Sequence, residues 1–269
     1  MKTSKFTVAM YVALLSFMLA VAVQTALANT VPNPPDTVTT GPGFRGEQVG
    51  GIPIQAIAGN VTALVVTDSS QSQFWQGYYG NVTGRIVLDD AQNSTLFAWE
   101  LAAPSGEIYA VNTSNVVSWA NITCVNFTAL NNTDSGKGSG KINLSTLSVQ
   151  FNMNTSRTLE NLSKEGFNYT FNTTFAGGLT VGTRTIAAGD NCPQAFMFVN
   201  ELYQTTDFRE VLLFDNQSAL VFAAILENSK DGYQAGNDDL SDFQMIVPED
   251  GSPGKESTTA TYYFYVELQ

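Results

Sequence analysis

The sequence predicts an all-β protein, an antiparallel β-sandwich of Greek-key (Ig-like) or jelly-roll type with very little helix. Three observations predict it. Apolar runs of strand length recur along the chain, separated by turn signals built from Gly, Pro, Asn and Asp. Several of those runs alternate apolar and polar residues, which is the pattern of a half-buried strand. The 269 residues are 43% hydrophobic, 11% aromatic and only 13% charged, enough apolar surface for a core and too little charge for a disordered chain or a coiled coil.

Taken in order, the chain opens on Lys2 and Lys5, an apolar run over 6–23 and the small-x-small triplet Ala26-Leu27-Ala28. This is the pattern of a secretory signal peptide over 1–28, cut to leave Asn29 first, with an uncleaved membrane anchor as the alternative. Residues 29–54 are rich in Pro, Gly and Thr and read as an extended arm or linker. Residues 55–269 form the expected sandwich domain, with apolar runs at 61–67, 82–88, 95–102, 106–111, 116–128, 142–153, 167–175, 179–187, 194–203, 209–214, 219–226, 243–247 and 259–268. A split into two sub-domains near 177, at Gly177-Gly178, is the alternative organisation.

Individual segments carry sharper expectations. Trp75-Gln76-Gly77-Tyr78-Tyr79-Gly80-Asn81-Val82-Thr83-Gly84 reads as a loop whose Trp75, Tyr78 and Tyr79 either cap one end of the core or form a flat platform for a sugar or other solute. Over 82–88 the inward set is Val82, Ile86 and Leu88, leaving Asn81 outside. Ala103-Pro104-Ser105-Gly106 and Asp215-Asn216-Gln217-Ser218 are expected as hairpin turns. In Phe167-Asn168-Tyr169-Thr170-Phe171-Asn172 the aromatics alternate with polar residues, predicting a strand with Phe167, Tyr169 and Phe171 inward. The last run places Tyr262, Phe264, Val266 and Leu268 on one face and Tyr263, Tyr265 and Glu267 on the other.

Charge and missing residue types exclude whole classes of function. A net charge of −12, becoming −14 when Lys2 and Lys5 leave with the signal peptide, opposes nucleic-acid binding. The absence of histidine removes the commonest general base, the Ser-His-Asp and Cys-His systems and imidazole metal sites. The two cysteines, Cys124 and Cys192, have no Cys-x-x-Cys spacing and are expected to form one disulfide in an oxidising exterior.

Asn-x-Ser/Thr sequons begin at Asn60, Asn81, Asn93, Asn112, Asn121, Asn126, Asn131, Asn143, Asn154, Asn161, Asn168, Asn172 and Asn216. Composition alone would give about four, so the excess points to N-glycosylation of an exported chain. Only Asn216 lies beyond residue 172, which nominates 176–269, together with the arm, as the surface for self-assembly or for other surface proteins. Two further sites are weighed. Asp231, Asn237, Asp238, Asp239 and Asp242 could supply oxygen ligands to calcium, though they lack EF-hand spacing and carboxylates in such turns are more often simply solvated. Asp89, Asp90, Glu100 and Glu107 are carboxylates from which a glycosidase could be built, but they form no recognisable acid/nucleophile motif.

The segments Trp75-Gln76-Gly77-Tyr78-Tyr79-Gly80-Asn81-Val82-Thr83-Gly84, Asp242-Phe243-Gln244-Met245-Ile246-Val247-Pro248-Glu249-Asp250-Gly251 and Thr261-Tyr262-Tyr263-Phe264-Tyr265-Val266-Glu267-Leu268 resemble a group of uncharacterised secreted archaeal surface glycoproteins. The resemblance implies an archaeal cell-surface or extracellular location and supplies no activity and no site residues. The combined expectation is a non-enzymatic, N-glycosylated, exported protein with no cofactor, acting as a structural subunit of a surface filament or layer or as a partner-binding component. The alternatives are a carbohydrate- or solute-binding module on the Trp75–Tyr79 segment and, third, a secreted glycosidase.

Overall fold

The computed structural model describes residues 31–41, 55, 58–61, 63–64, 72, 74–103, 105–115, 117–125, 147, 151, 153, 165–233, 240–249 and 259–269. The expected signal peptide and the rest of the arm lie outside them, as do most of the runs at 61–67 and 142–153. In chain order the strands are β1 (Trp75–Gly80), β2 (Arg85–Asp89), β3 (Thr95–Glu100), β4 (Gly106–Val111), β5 (Thr123–Cys124), β6 (Thr173–Thr174), β7 (Leu179–Val181), β8 (Arg184–Ile186), β9 (Pro193–Phe196), β10 (Arg209–Phe214), β11 (Leu220–Ile225), β12 (Lys230–Asp231), β13 (Leu240–Ser241), β14 (Phe243–Pro248) and β15 (Tyr263–Leu268). Helix among the described residues is limited to short turns, including a 3₁₀ turn, η1 (Trp119–Asn121), and one α-turn, α1 (Phe167–Thr170). The fold is all-β and antiparallel, sandwich-like with sheets that do not close on each other.

A seven-stranded sheet runs in the order β15-β4-β11-β10-β9-β6, with β5 also pairing β10. Its centre, β10 and β11, is a nearly unbroken apolar sequence, Val211-Leu212-Leu213-Phe214 and Leu220-Val221-Phe222-Ala223-Ala224, all buried. Alternate side chains along these strands enter different layers. Leu212, Phe214, Leu220 and Phe222 pack with Phe243, Met245 and Val247 of β14, whose partner is β1. Val211, Leu213, Val221 and Ala223 pack with Trp119, Phe175, Val181 and Ile186 on the opposite face. A strand covered on both faces has no use for polar alternation, which is why these two read as continuous runs.

The expected hairpin turn at 215–218 joins β10 to β11. Asp215 Oδ1 accepts the backbone N–H groups of Gln217, Ser218 and Ala219, each at 2.9 Å, and Asn216 takes the left-handed conformation at φ 59° that Asn tolerates. The other proposed turn, 103–106, is corrected: it leads from β3, paired with β2, to β4, paired with β11 and β15, and so links separate sheets. Gly106 stands there at φ +122°, where a Cβ would collide with the Glu267 carbonyl oxygen, so only glycine starts β4 so close to β15.

Three further expectations are corrected. The segment at 167–172 is not a strand: Phe167 and Phe171 are buried one helical turn apart, Phe171 N–H donates to Phe167 O at 2.8 Å, and Tyr169 is 55% exposed. Aromatics at i, i+2 and i+4 fit both periods, and packing of Phe167 and Phe171 against Trp75 favours the helical turn. The 179–187 run is two strands, β7 and β8, reversed through Gly182 at φ 58°. Residues 75–80 are not a loop but β1, paired residue for residue with β14 from Trp75↔Pro248 to Gly80↔Phe243. The final run behaves as expected, with Tyr262, Phe264 and Leu268 packed toward one core and Tyr265 toward the other. Cys124 and Cys192 are disulfide-bonded with Cα atoms 4.7 Å apart.

Candidate functional site

Strand β15 is the edge of the main sheet. Its residues pair with β4 from Tyr263↔Val111 to Leu268↔Gly106. On its outer side, among the described residues, the backbone partner is Asn33 of the arm: Asn33 N–H donates to Val266 O at 3.0 Å and Val266 N–H donates to Asn33 O at 2.8 Å. The arm is thus seated by one antiparallel bridge and by Val31, which packs against the second core. Beyond Asn33, Thr37-Val38-Thr39-Thr40 is β-branched throughout yet forms no strand, and Val38 is 61% exposed. Facing the arm across β15 stands β1, the edge of the two-stranded sheet, with Tyr78 edge-on to Phe264 at 5.5 Å between ring centroids. An open groove results, lined by residues of β15, the arm, β1 and β2.

The hairpin β2–β3 contributes Arg85, Ile86, Val87, Asp89, Thr95 and Glu100 to this lining and corrects the inward set. Val82 is partly buried against the first core, but Ile86 is 47% and Leu88 49% exposed. Register pairs Ile86 with Trp99 and Leu88 with Phe97, so one face of the hairpin carries four large apolar side chains. Phe97 and Trp99 are themselves edge-on at 4.9 Å, and Leu96 on the other face is 82% exposed. One sequence signal could have flagged this: Ile86-Val87-Leu88 and Leu96-Phe97-Ala98-Trp99 are continuous apolar runs rather than alternating ones, as if both faces were to be covered.

Next to the groove lies a carboxylate pair that sequence reasoning only half found. Glu107 and Glu267 are cross-strand partners on β4 and β15. The Tyr109 hydroxyl, fully buried, sits 3.3 Å from Oε2 of each and can donate to one at a time. Gly182 N–H donates to both oxygens of Glu267, at 2.8 and 3.1 Å, and Gln269 Nε2 donates to Glu107 Oε2 at 3.3 Å. Burial first, and then the neighbouring Glu267 charge, push Glu107 up to about 8; burial also raises Glu267. Burial carries the Tyr109 hydroxyl well above its ordinary range. Of the carboxylates weighed for glycoside hydrolysis, Asp89, Asp90 and Glu100 stand exposed on the hairpin and Glu107 is buried on β4. Asp90 instead closes the hairpin turn, its Oδ1 accepting Gln92 N–H and Ser94 N–H at 2.9 and 2.8 Å, bonds that lower its pKa.

The aromatic segment divides. Trp75 packs edge-on to Phe167 and donates Nε1–H to Glu165 O at 2.7 Å, and Tyr78 turns inward. Only Tyr79 faces out, 47% exposed and 4.7 Å from the Tyr233 ring. Trp75→Ala is therefore expected to cost about 3 kcal/mol of stability, read as a lowered urea midpoint. An unchanged midpoint would return Trp75 to the platform role.

Of the proposed calcium ligands, Asn237, Asp238 and Asp239 lie outside the described residues and Asp231 is exposed on β12. Asp242 is 5% exposed and already engaged: its Oδ2 accepts Val82 N–H at 2.9 Å and its Oδ1 accepts Ser229 N–H at 3.0 Å. Among the described residues no group of three or more Asp, Glu or Cys is placed to hold a metal ion. Of the sequon asparagines, Asn60, Asn81, Asn93, Asn121, Asn168 and Asn172 are exposed. Asn112 and Asn216 are half-buried; Asn112 Oδ1 accepts Leu220 N–H and Asn216 Nδ2 donates to Asn121 O. Asn126, Asn131, Asn143, Asn154 and Asn161 lie outside the described residues. No family profile, curated protein or solved structure matches the chain.

Proposed function

We propose that the chain is a non-enzymatic, exported, N-glycosylated protein of the archaeal cell exterior, a structural subunit that assembles by strand addition at β15. The observation that carries this reading is the outer side of β15, on which the arm makes a single two-bond bridge at Val266 and leaves the rest of the edge without a described backbone partner. Extended segments bind such edges through main-chain hydrogen bonds, and an arm that reaches a neighbouring copy's β15 instead of its own links subunits head to tail. Support also comes from the sequon density, the disulfide and the acidic charge, which suit a chain exposed to the exterior. The sequon-poor region 176–269 contributes here mainly through β15, because β10, β11 and β14 are buried within the sandwich.

Deleting residues 29–54 from the mature protein is expected to leave a folded domain that sediments as a monomer and shows no fibres or sheets by negative-stain electron microscopy. Assembly unchanged by the deletion would overturn strand addition. A second reading, a carbohydrate- or solute-binding module, is favoured by one observation, the outward Tyr79–Tyr233 ring pair.

A further inference from the structure

We infer that Tyr79 and Tyr233 form a seat for the chain's own N-glycan, on which the first, asparagine-linked sugar of Asn81 stacks. The inference rests on the glycosylation in the proposed reading, and it assigns to an attached sugar the ring pair that a binding module would offer to a free one. Tyr79-Gly80-Asn81-Val82-Thr83 places an aromatic residue two positions before a sequon asparagine. Side chains two apart in an extended segment share a face about 6–7 Å from each other, so a sugar tethered to Asn81 that folds back meets the Tyr79 ring. Pyranose rings carry a face of electropositive C–H groups, and the face of an aromatic ring is its negative side.

The fold holds this geometry in place. Tyr78 and Val82 pack against the first core, and a Cβ on Gly80 would meet the buried Phe243 ring at 3.7 Å, so 78, 80 and 82 face inward while Tyr79 and Asn81 share the outer side. Both of these are exposed. The buried Asp242 grips the backbone on either side of Asn81: its N–H donates to Gly80 O at 2.9 Å and its Oδ2 accepts Val82 N–H at 2.9 Å. The half-exposed Tyr233 ring stands 4.7 Å from Tyr79 at 58°, an open corner rather than a closed stack. Its loop is tied down where Asn200 N–H donates to Gly232 O at 3.1 Å. Spacing alone does not select the site. Trp119 precedes Asn121 and Phe214 precedes Asn216 by the same two residues, but both rings are buried in the core. None of the other ten sequons has an aromatic residue at that position, which leaves Asn81 as the sequon with an accessible ring.

The test is a double-mutant cycle on the protein purified from its native host, with occupancy of each sequon read by glycopeptide mass spectrometry and stability by the melting temperature. Thr83→Ala removes the sequon and leaves Asn81 in place, whereas Tyr79→Thr removes the ring and keeps a strand-forming residue. Thr83→Ala is expected to lower the melting temperature by about 3 °C in the wild-type background and by less than about 1 °C in the Tyr79→Thr background, since both side chains are exposed and the stacked sugar is what couples them. Tyr79→Phe keeps the ring and should keep the full loss. Equal losses with and without the ring would overturn the inference. An unmodified Asn81 would overturn it too; sugars on the other sequons would then leave the glycosylated reading intact, and bare sequons throughout would end both. Capture of the wild-type protein on a glycan array, lost in Tyr79→Thr, would assign the rings to a free saccharide and overturn the seat for the chain's own.

Discussion

Raising the pH from 4 to 9 is expected to destabilise the fold by on the order of 5 kcal/mol through Glu107 alone. The sign follows from the direction of its shift. Unfolded, the carboxyl titrates near 4.5; folded, burial and the Glu267 charge hold it protonated to about 8. Below the lower value both states carry the proton and stability is at its full level. Between the two values the unfolded chain ionises and the folded one does not, so stability declines by about 1.4 kcal/mol per pH unit, and above the upper value it levels off. Glu210 acts in the same direction: it is fully buried, raised well above its usual range, and has one oxygen on Ile246 N–H and the other without a described partner. The chain's pI of about 4.2 adds to the trend, because self-repulsion grows as the pH rises. Urea midpoints at pH 4, 6, 8 and 9 should fall steadily, and Glu107→Gln, which keeps the shape but cannot ionise, should flatten the curve. A midpoint that climbs toward pH 8 would contradict this account.

Reduction of Cys124–Cys192 is expected to cost about 4 kcal/mol, for a different reason. The bond joins residues 68 positions apart, and in the chain-entropy picture closing a loop of that length removes this much freedom from the unfolded ensemble. It also fastens β5, a two-residue strand on β10, to the segment leading into β9, the other strand that pairs with β10 on that side. Cys192 is 1% exposed, and Cys192→Ser would bury a hydroxyl in that place. Comparing urea midpoints with and without reductant, and for the double serine variant, measures the effect; a difference below about 1 kcal/mol would show that the rest of the core holds these strands without the bond.

Much of the fold was legible in residue order because burial on both faces writes itself into sequence. β4, β10, β11, β14 and β15 fall where apolar runs predict them, and the Asp215 turn announces itself through Asp-Asn followed by a polar pair. The failures share a cause. Phe167-Asn168-Tyr169-Thr170-Phe171 satisfies two periodicities, and only the position of Trp75 decides that Tyr169 points to solvent. Trp75–Gly80 looks like a loop because its glycines and aromatics are locally ambiguous; the pairing with β14, more than 160 residues later in the chain, makes it a strand.

By itself the sequence determined the all-β class, the cysteine pairing, the acidic charge and the exclusion of histidine chemistry, since each depends on composition or on the short-range periodicity of strands. Only the tertiary structure decided which strand edge stands open among the described residues, that Glu107 faces Glu267 across β4 and β15, and that Ile86, Leu88, Phe97 and Trp99 share one exposed face of the hairpin. The reason is physical. Which residues belong in a sheet is set by neighbours two positions apart, whereas which edge and which face remain unpartnered depends on contacts between segments more than a hundred residues apart.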